Sequence, residues 1–129
     1  MRYCYTSTFC NVLNNILFLI GVVSYFLIKS NMFAYSSLVM NHGIDLICGY
    51  IFCYVVSLLY DLLLERKIKI SFLLSIVVIA SVYWEYIYPI FDSTSVSDFY
   101  DMVAYIIGFI IYIIADNYEG LVKSYLSKI

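Results

Sequence analysis

Residues 44–88 read IDLICGYIFCYVVSLLYDLLL, then ERKIK, then ISFLLSIVVIASVYWEYIY. Two long apolar runs flank five residues that carry three bases and one acid. The hydrocarbon core of a bilayer takes about 20 residues of helix, and both runs meet that length. Neither alternates polar with apolar side chains, so a membrane β-strand does not fit. The stretch predicts two membrane helices joined by a tight polar turn. The first, 44–64, is stopped by Glu65-Arg66-Lys67. The second, 70–88, is stopped by Pro89, which has no backbone N–H to donate.

Working outward, two further runs have the same character. Residues 12–28 form an apolar stretch closed by Lys29, and residues 99–115 form another. Asp98 is placed to cap the start of the latter, and Asp116-Asn117 follow its end. The predicted fold is therefore all-α: one domain over 1–129, a polytopic transmembrane bundle with spans 12–28, 44–64, 70–88 and 99–115. Composition agrees, with 64% hydrophobic residues, 12% charged and a mean hydropathy of +0.94. A soluble domain carries about 25% charged residues, and one this small exposes much of its surface. The excess apolar surface must face lipid. A net charge of −2 offers no basic field for nucleic acid.

Orientation follows from Lys and Arg in the connections. Arg2, then Arg66, Lys67 and Lys69, then Lys123 and Lys128 fall on one side. The other side holds Lys29, and the loop 89–97 has no base. Both termini and the 65–69 turn are expected in the cytoplasm of a cell membrane. The first run is long for a signal peptide and no A-x-A site follows it. Cys4, Cys10, Cys48 and Cys53 form no C-x-x-C pair and no zinc spacing; Cys48 and Cys53 read as small apolar fillers. Residues 119–129 fit either an amphipathic surface helix or a frayed terminus.

Acidic side chains inside a membrane are disfavoured by about 2.5–3.5 kcal/mol at the centre, and they mark contacts or sites. Ile70 to Glu85 spans about 22 Å, which leaves Glu85 within the apolar layer near its outer edge. Asp45 lies about 30 Å from Glu65, at the same boundary. Met102–Ala115 covers about 21 Å, so Asp101 or Asp116 is drawn toward the apolar layer or the bilayer thins. Asp101 also gains from the helix dipole in the first turn. His42 lies one turn before Asp45. Asp101, Tyr105, Gly108 and Tyr112 share a stripe, as do Glu85 with Ser81 and Asp45 with Gly49. A candidate outward-facing acidic pocket follows: Glu85 and Asp101 first, Asp45 and His42 behind them, Tyr105 and Tyr88 lining it. The plainer reading is a structural hydrogen-bond network, with Tyr83, Trp84, Tyr86 and Tyr88 forming an interfacial aromatic belt. Asn11, Asn14 and Asn15 read as helix-to-helix hydrogen-bonding groups.

The run Trp84-Glu85-Tyr86-Ile87-Tyr88, a short loop, then Asp98-Phe99-Tyr100-Asp101-Met102-Val103-Ala104-Tyr105-Ile106-Ile107-Gly108 resembles the VanZ-like family of small bacterial integral membrane proteins. A looser likeness surrounds Asn41-His42-Gly43-Ile44-Asp45. In that family a Glu closes one span on its outer side, and the next opens with Asp and carries a Gly about seven residues on. Glu85, Asp101 and Gly108 match. The chain departs at Tyr88, where the family has Gln, at Tyr105, where it has Asn, and at Tyr112, where a second Gly is frequent. The loop base common in the family is absent. The resemblance implies a membrane fold in a bacterial envelope; the family's name comes from glycopeptide resistance.

Three functions remain open. One is a VanZ-like envelope protein whose outer acidic pocket binds an unknown ligand or membrane partner. Another is a structural or interaction subunit of a membrane complex. The third is a membrane enzyme or divalent-metal site built from His42, Asp45, Glu85 and Asp101. No nucleophile motif or cofactor motif is present, and a transporter lacks its usual repeats and broken helices.

Overall fold

The computed structural model describes residues 11–30, 39–92 and 98–128. Arg2, Cys4, Cys10 and residues 31–38 and 93–97 lie outside them. The described residues form helices and no strand: α1 Val12–Lys29, α2 Ile44–Leu64, α3 Ile70–Val82 and α4 Phe99–Leu126, with π-helical turns at Val39–Gly43 and Tyr83–Ile87 and a last helical turn at Tyr88–Phe91.

Each boundary has a local cause. Asn11 caps α1, its side-chain oxygen accepting the Asn14 N–H at 3.0 Å. At the other end the Ser30 hydroxyl donates to the Leu27 carbonyl at 3.0 Å. The π turn Val39–Gly43 leads straight into α2, so His42 is already helical when the chain reaches Asp45. Glu65 ends α2 in the left-handed region, φ 51°, and starts the reversal into α3.

Pro89 does not end the third span, which runs on to Phe91. The π turn explains this. The Tyr88 N–H bonds to the Tyr83 carbonyl, five residues back, so the backbone is widened one turn before the proline. The proline ring then sits at the start of the final turn, where no N–H is needed from it. α4 likewise passes its predicted end at Ala115 and continues to Leu126, so residues 119–126 extend the same helix.

Four segments, Val12–Lys29, Ile44–Leu64, Ile70–Phe91 and Phe99–Tyr118, are long and apolar enough to cross a membrane. Their outward faces are apolar: Leu63 is 78% exposed and Ile79 is 70% exposed. Such surface is stable against lipid and not against water. The chain is a multi-span membrane protein.

α2 and α4 form the most extensive interface, and two glycines make it possible. A methyl group on Gly49 would meet the Tyr105 backbone, 2.6 Å from its carbonyl oxygen; one on Gly108 would lie 2.7 Å from the Tyr50 nitrogen. The two backbones touch at this crossing, as small residues allow. On either side of it, Tyr112 packs edge-on to Tyr50 with centroids 6.0 Å apart, and Tyr105 reaches Asp45. Leu73, Val77, Ser81 and Glu85 are the buried positions of α3 and its π turn, spaced by four. Cys53 is fully buried among Tyr50, Tyr54, Leu73 and Val77, a filler as expected.

The end of the bundle that carries the 65–69 turn is tied by a polar network. Asn14, fully buried, donates to Asp116 Oδ1 at 3.3 Å and accepts the Tyr50 hydroxyl at 2.7 Å. Asn11 donates to the Asp116 carbonyl at 3.1 Å, and the Tyr54 hydroxyl donates to Asn15 at 2.6 Å. Lys67 pairs with Asp116 Oδ2 at 2.6 Å. The asparagines thus serve helix-to-helix hydrogen bonding. Asp116 lies inside this network, which is why α4 needs no stop at Ala115.

Candidate functional site

The opposite end gathers the π turn before α2, the π turn after α3 and the first turn of α4. Within Tyr83–Ile87 the tyrosines and Trp84 face outward, Tyr83 at 45% and Trp84 at 48% exposure, as an interfacial belt requires. Glu85 alone turns inward and is 7% exposed. Its Oε2 accepts the Asp98 N–H at 3.2 Å. A carboxylate at this place satisfies a backbone donor at the start of α4 and meets the positive end of the helix dipole.

Asp98 caps α4 as its sequence position predicts, Oδ1 accepting the Tyr100 N–H at 2.8 Å. That cap aims Asp101 across to α2. Asp101 Oδ1 lies 2.6 Å from His42 Nδ1. Asp45 lies beside both Asp101 and Tyr105. Glu85 is near enough to act electrostatically on Asp45 and Tyr105. Of the six residues singled out by sequence, Glu85, Asp101, Asp45, His42 and Tyr105 come together. Tyr88 is differently placed: its hydroxyl donates to Asp92 Oδ2 at 3.3 Å and its ring lies against Trp84.

Below the acids, between α2, α3 and α4, lies a cavity of about 190 Å³ lined by Cys48, Phe52, Val77, Ala80, Trp84 and Tyr105. Its walls are apolar apart from Tyr105 and the Cys48 thiol. This cavity is thus an apolar slot, with Tyr105 on its wall and none of Glu85, Asp101, Asp45 or His42 lining it.

The hydrogen bond that the His42 ring donates to Asp101 raises its pKa above the ordinary value of 6.5, with further help from the charges of Asp101, Asp98 and Asp45. Desolvation opposes the shift and is outweighed. An imidazole whose pKa is raised on folding stabilises the fold fully below pH 6.5, and this contribution fades as pH rises through the raised value. The His42 ring is expected to titrate above 6.5 by NMR in chelator-containing buffer, and its midpoint to fall toward 6.5 in Asp101→Asn. A wild-type midpoint at or below 6.5 contradicts the pairing.

In the sequence Asp98 reads as a cap of the fourth span that adds charge from the outer loop. Yet an oxygen of Asp98, an oxygen of Asp101 and a His42 ring nitrogen lie within 4.8 Å of one another. The signal was present in the spacing: positions 98 and 101 fall on one side of a first helical turn. No family model, curated protein or solved structure matches the chain.

Proposed function

We propose that the chain is a cell-envelope membrane protein of the VanZ-like type, whose Asp45–Glu85–Asp101–His42 cluster faces outward from the cell membrane and binds a ligand. One observation carries this reading. Among the described residues there are two π-helical turns, and they hold His42 and Glu85, on either side of the same cluster. A π turn is a costly irregularity that recurs at functional sites. Here each turn places a polar side chain where straight helices would not bring both. Asp45 and Asp101 are set side by side, and neighbouring acids in a partly buried place favour a positive guest. The basic residues near the 65–69 turn support the outward placement of the acids.

The test is made in a glycopeptide-susceptible bacterium. Expression of the wild type is expected to raise the tolerated glycopeptide concentration. Glu85→Gln and Asp101→Asn, at equal membrane abundance, are expected to abolish the gain. In intact cells a membrane-impermeant maleimide is expected to label Asp92→Cys and not Arg66→Cys. Full activity of both carboxamide variants sinks the cluster as a functional site, and the reverse labelling pattern sinks its outward placement.

A further inference from the structure

We infer that the ligand of this cluster is a divalent transition-metal ion of Zn²⁺ or Mn²⁺ type, held by His42, Asp98 and Asp101. This inference rests on the reading of the acidic end as a binding site and goes beyond it by naming the ligand class and bringing in Asp98.

The donor atoms argue for a metal over an organic cation. Three potential ligand atoms, one imidazole nitrogen and two carboxylate oxygens, come from two separate segments and lie within 4.8 Å of one another. Metal–nitrogen and metal–oxygen bonds of about 2.0–2.2 Å place the ligands of one ion roughly 3–4 Å apart, so modest side-chain rotation closes the set. A metal ion takes both donor types at once. Imidazole with carboxylate suits Zn²⁺, Mn²⁺ or Fe²⁺ and sets the site apart from the all-oxygen cages of Ca²⁺ and Mg²⁺.

Charge balance points the same way. Asp45, Asp98 and Asp101 lie around a single imidazole, with Glu85 next to Asp45 and Asp98, while the Lys29 ammonium at this end lies on the Tyr25 hydroxyl at 3.2 Å. A divalent ion offsets the remaining negative charge in a medium where unbalanced charge is disfavoured. The surrounding groups fit supporting roles. Asp45 lies beside Asp101 and Tyr105, in the place of an outer group that orients a ligand. Glu85 fixes the Asp98 backbone. Three protein ligands leave at least one position on the ion for water or an anionic guest, the pattern of open sites rather than closed structural ones.

The test uses full-length protein, purified in detergent, stripped with chelator and titrated with Zn²⁺ and, separately, Mn²⁺. About one equivalent is expected to bind to the wild type, with affinity lowered tenfold or more in His42→Ala and in Asp98→Asn. Asp98→Asn keeps the side-chain oxygen that caps α4, so its fold is preserved; helical circular dichroism checks this for each variant. Asp92→Asn, at the same end but paired with Tyr88, is expected to bind as the wild type. Absence of stoichiometric binding of either ion overturns the inference, and so does wild-type affinity in both His42→Ala and Asp98→Asn. Neither outcome touches the wider reading, which stands or falls on the glycopeptide response of Glu85→Gln and Asp101→Asn.

Discussion

Gly108→Ala is expected to destabilise the bundle by about 2–4 kcal/mol, the upper range for overpacking because the obstacle is backbone. The new methyl group would lie 2.7 Å from the Tyr50 nitrogen and 3.0 Å from the Gly49 carbonyl carbon. Rotamer changes relieve neither contact, so α2 and α4 must move apart. Gly49→Ala is expected to act similarly, since its methyl meets the Tyr105 Cα at 2.8 Å. Both changes spread the same crossing, so the double variant should fall short of the sum. Gly21 of α1 and Gly120 of α4 serve as controls. A methyl on Gly21 finds only Ile51 and Ile47 side chains, at 3.6–3.7 Å, and one on Gly120 finds nothing within 4 Å. Gly21→Ala and Gly120→Ala are expected to be neutral or mildly stabilising, through the better helix propensity of Ala. Reversible unfolding in mixed detergent–SDS micelles measures all five. Equal stabilities for Gly108→Ala and Gly120→Ala would show that the helices do not meet backbone to backbone.

Acids at the two ends of the bundle are expected to respond with opposite sign. Asp116 is surrounded by partners: Asn14, Lys67 and, through its carbonyl, Asn11. Asp116→Ala removes the side-chain acceptor of a fully buried amide and the partner of Lys67. Losses of this kind reach 3–5 kcal/mol when both charges are buried. The Lys67 side chain is 40% exposed and regains water, so about 2 kcal/mol is the discounted expectation. Asp45, by contrast, is half-buried beside two other acids, Asp101 and Glu85. Asp45→Asn keeps an oxygen for Tyr105 and removes an acid held partly out of water beside other acids, so a gain of up to about 1 kcal/mol is expected. The same micelle assay decides both. Stability gained where an acid is neutralised marks an arrangement kept for a ligand rather than for folding; a loss at position 45 equal to that at position 116 would make the far end a structural network like the near one.

The fold was legible because lipid solvation leaves a strong linear signal. Four apolar runs, a basic turn and the stripe Asp101, Tyr105, Gly108, Tyr112 predict spans and the contact face of α4, and the structure uses that stripe in this way: Tyr105 toward Asp45, Gly108 on the α2 backbone, Tyr112 against Tyr50. The pairing of Asp45 with Gly49 on one face of α2 was legible for the same reason. What linear reading missed depends on hydrogen-bond register or on partners distant in sequence. Pro89 read as a stop because the π turn that accommodates it has no signature in composition. Asp116 read only as an acid drawn toward the apolar layer at the end of the fourth run, because its partner Asn14 lies 102 positions away. Asp61, buried one turn before Glu65, was passed over inside an apolar run. Tyr88 shares a segment with Glu85, yet the widened turn sends the two side chains to different partners.

The central claim is that the glycine crossing of α2 and α4 brings the polar groups of three helices to one end of the bundle. Its most direct measurement is a proximity test on the pair 42 and 101. In a cysteine-free background, His42→Cys and Asp101→Cys are introduced together, and the protein in lipid bilayers is treated with a short rigid bis-maleimide. Mass spectrometry is expected to find the two cysteines joined within one chain in high yield, and much less so when Gly108→Ala is added. Cysteines that react singly but never join, in protein whose helical content is unchanged, would contradict the account.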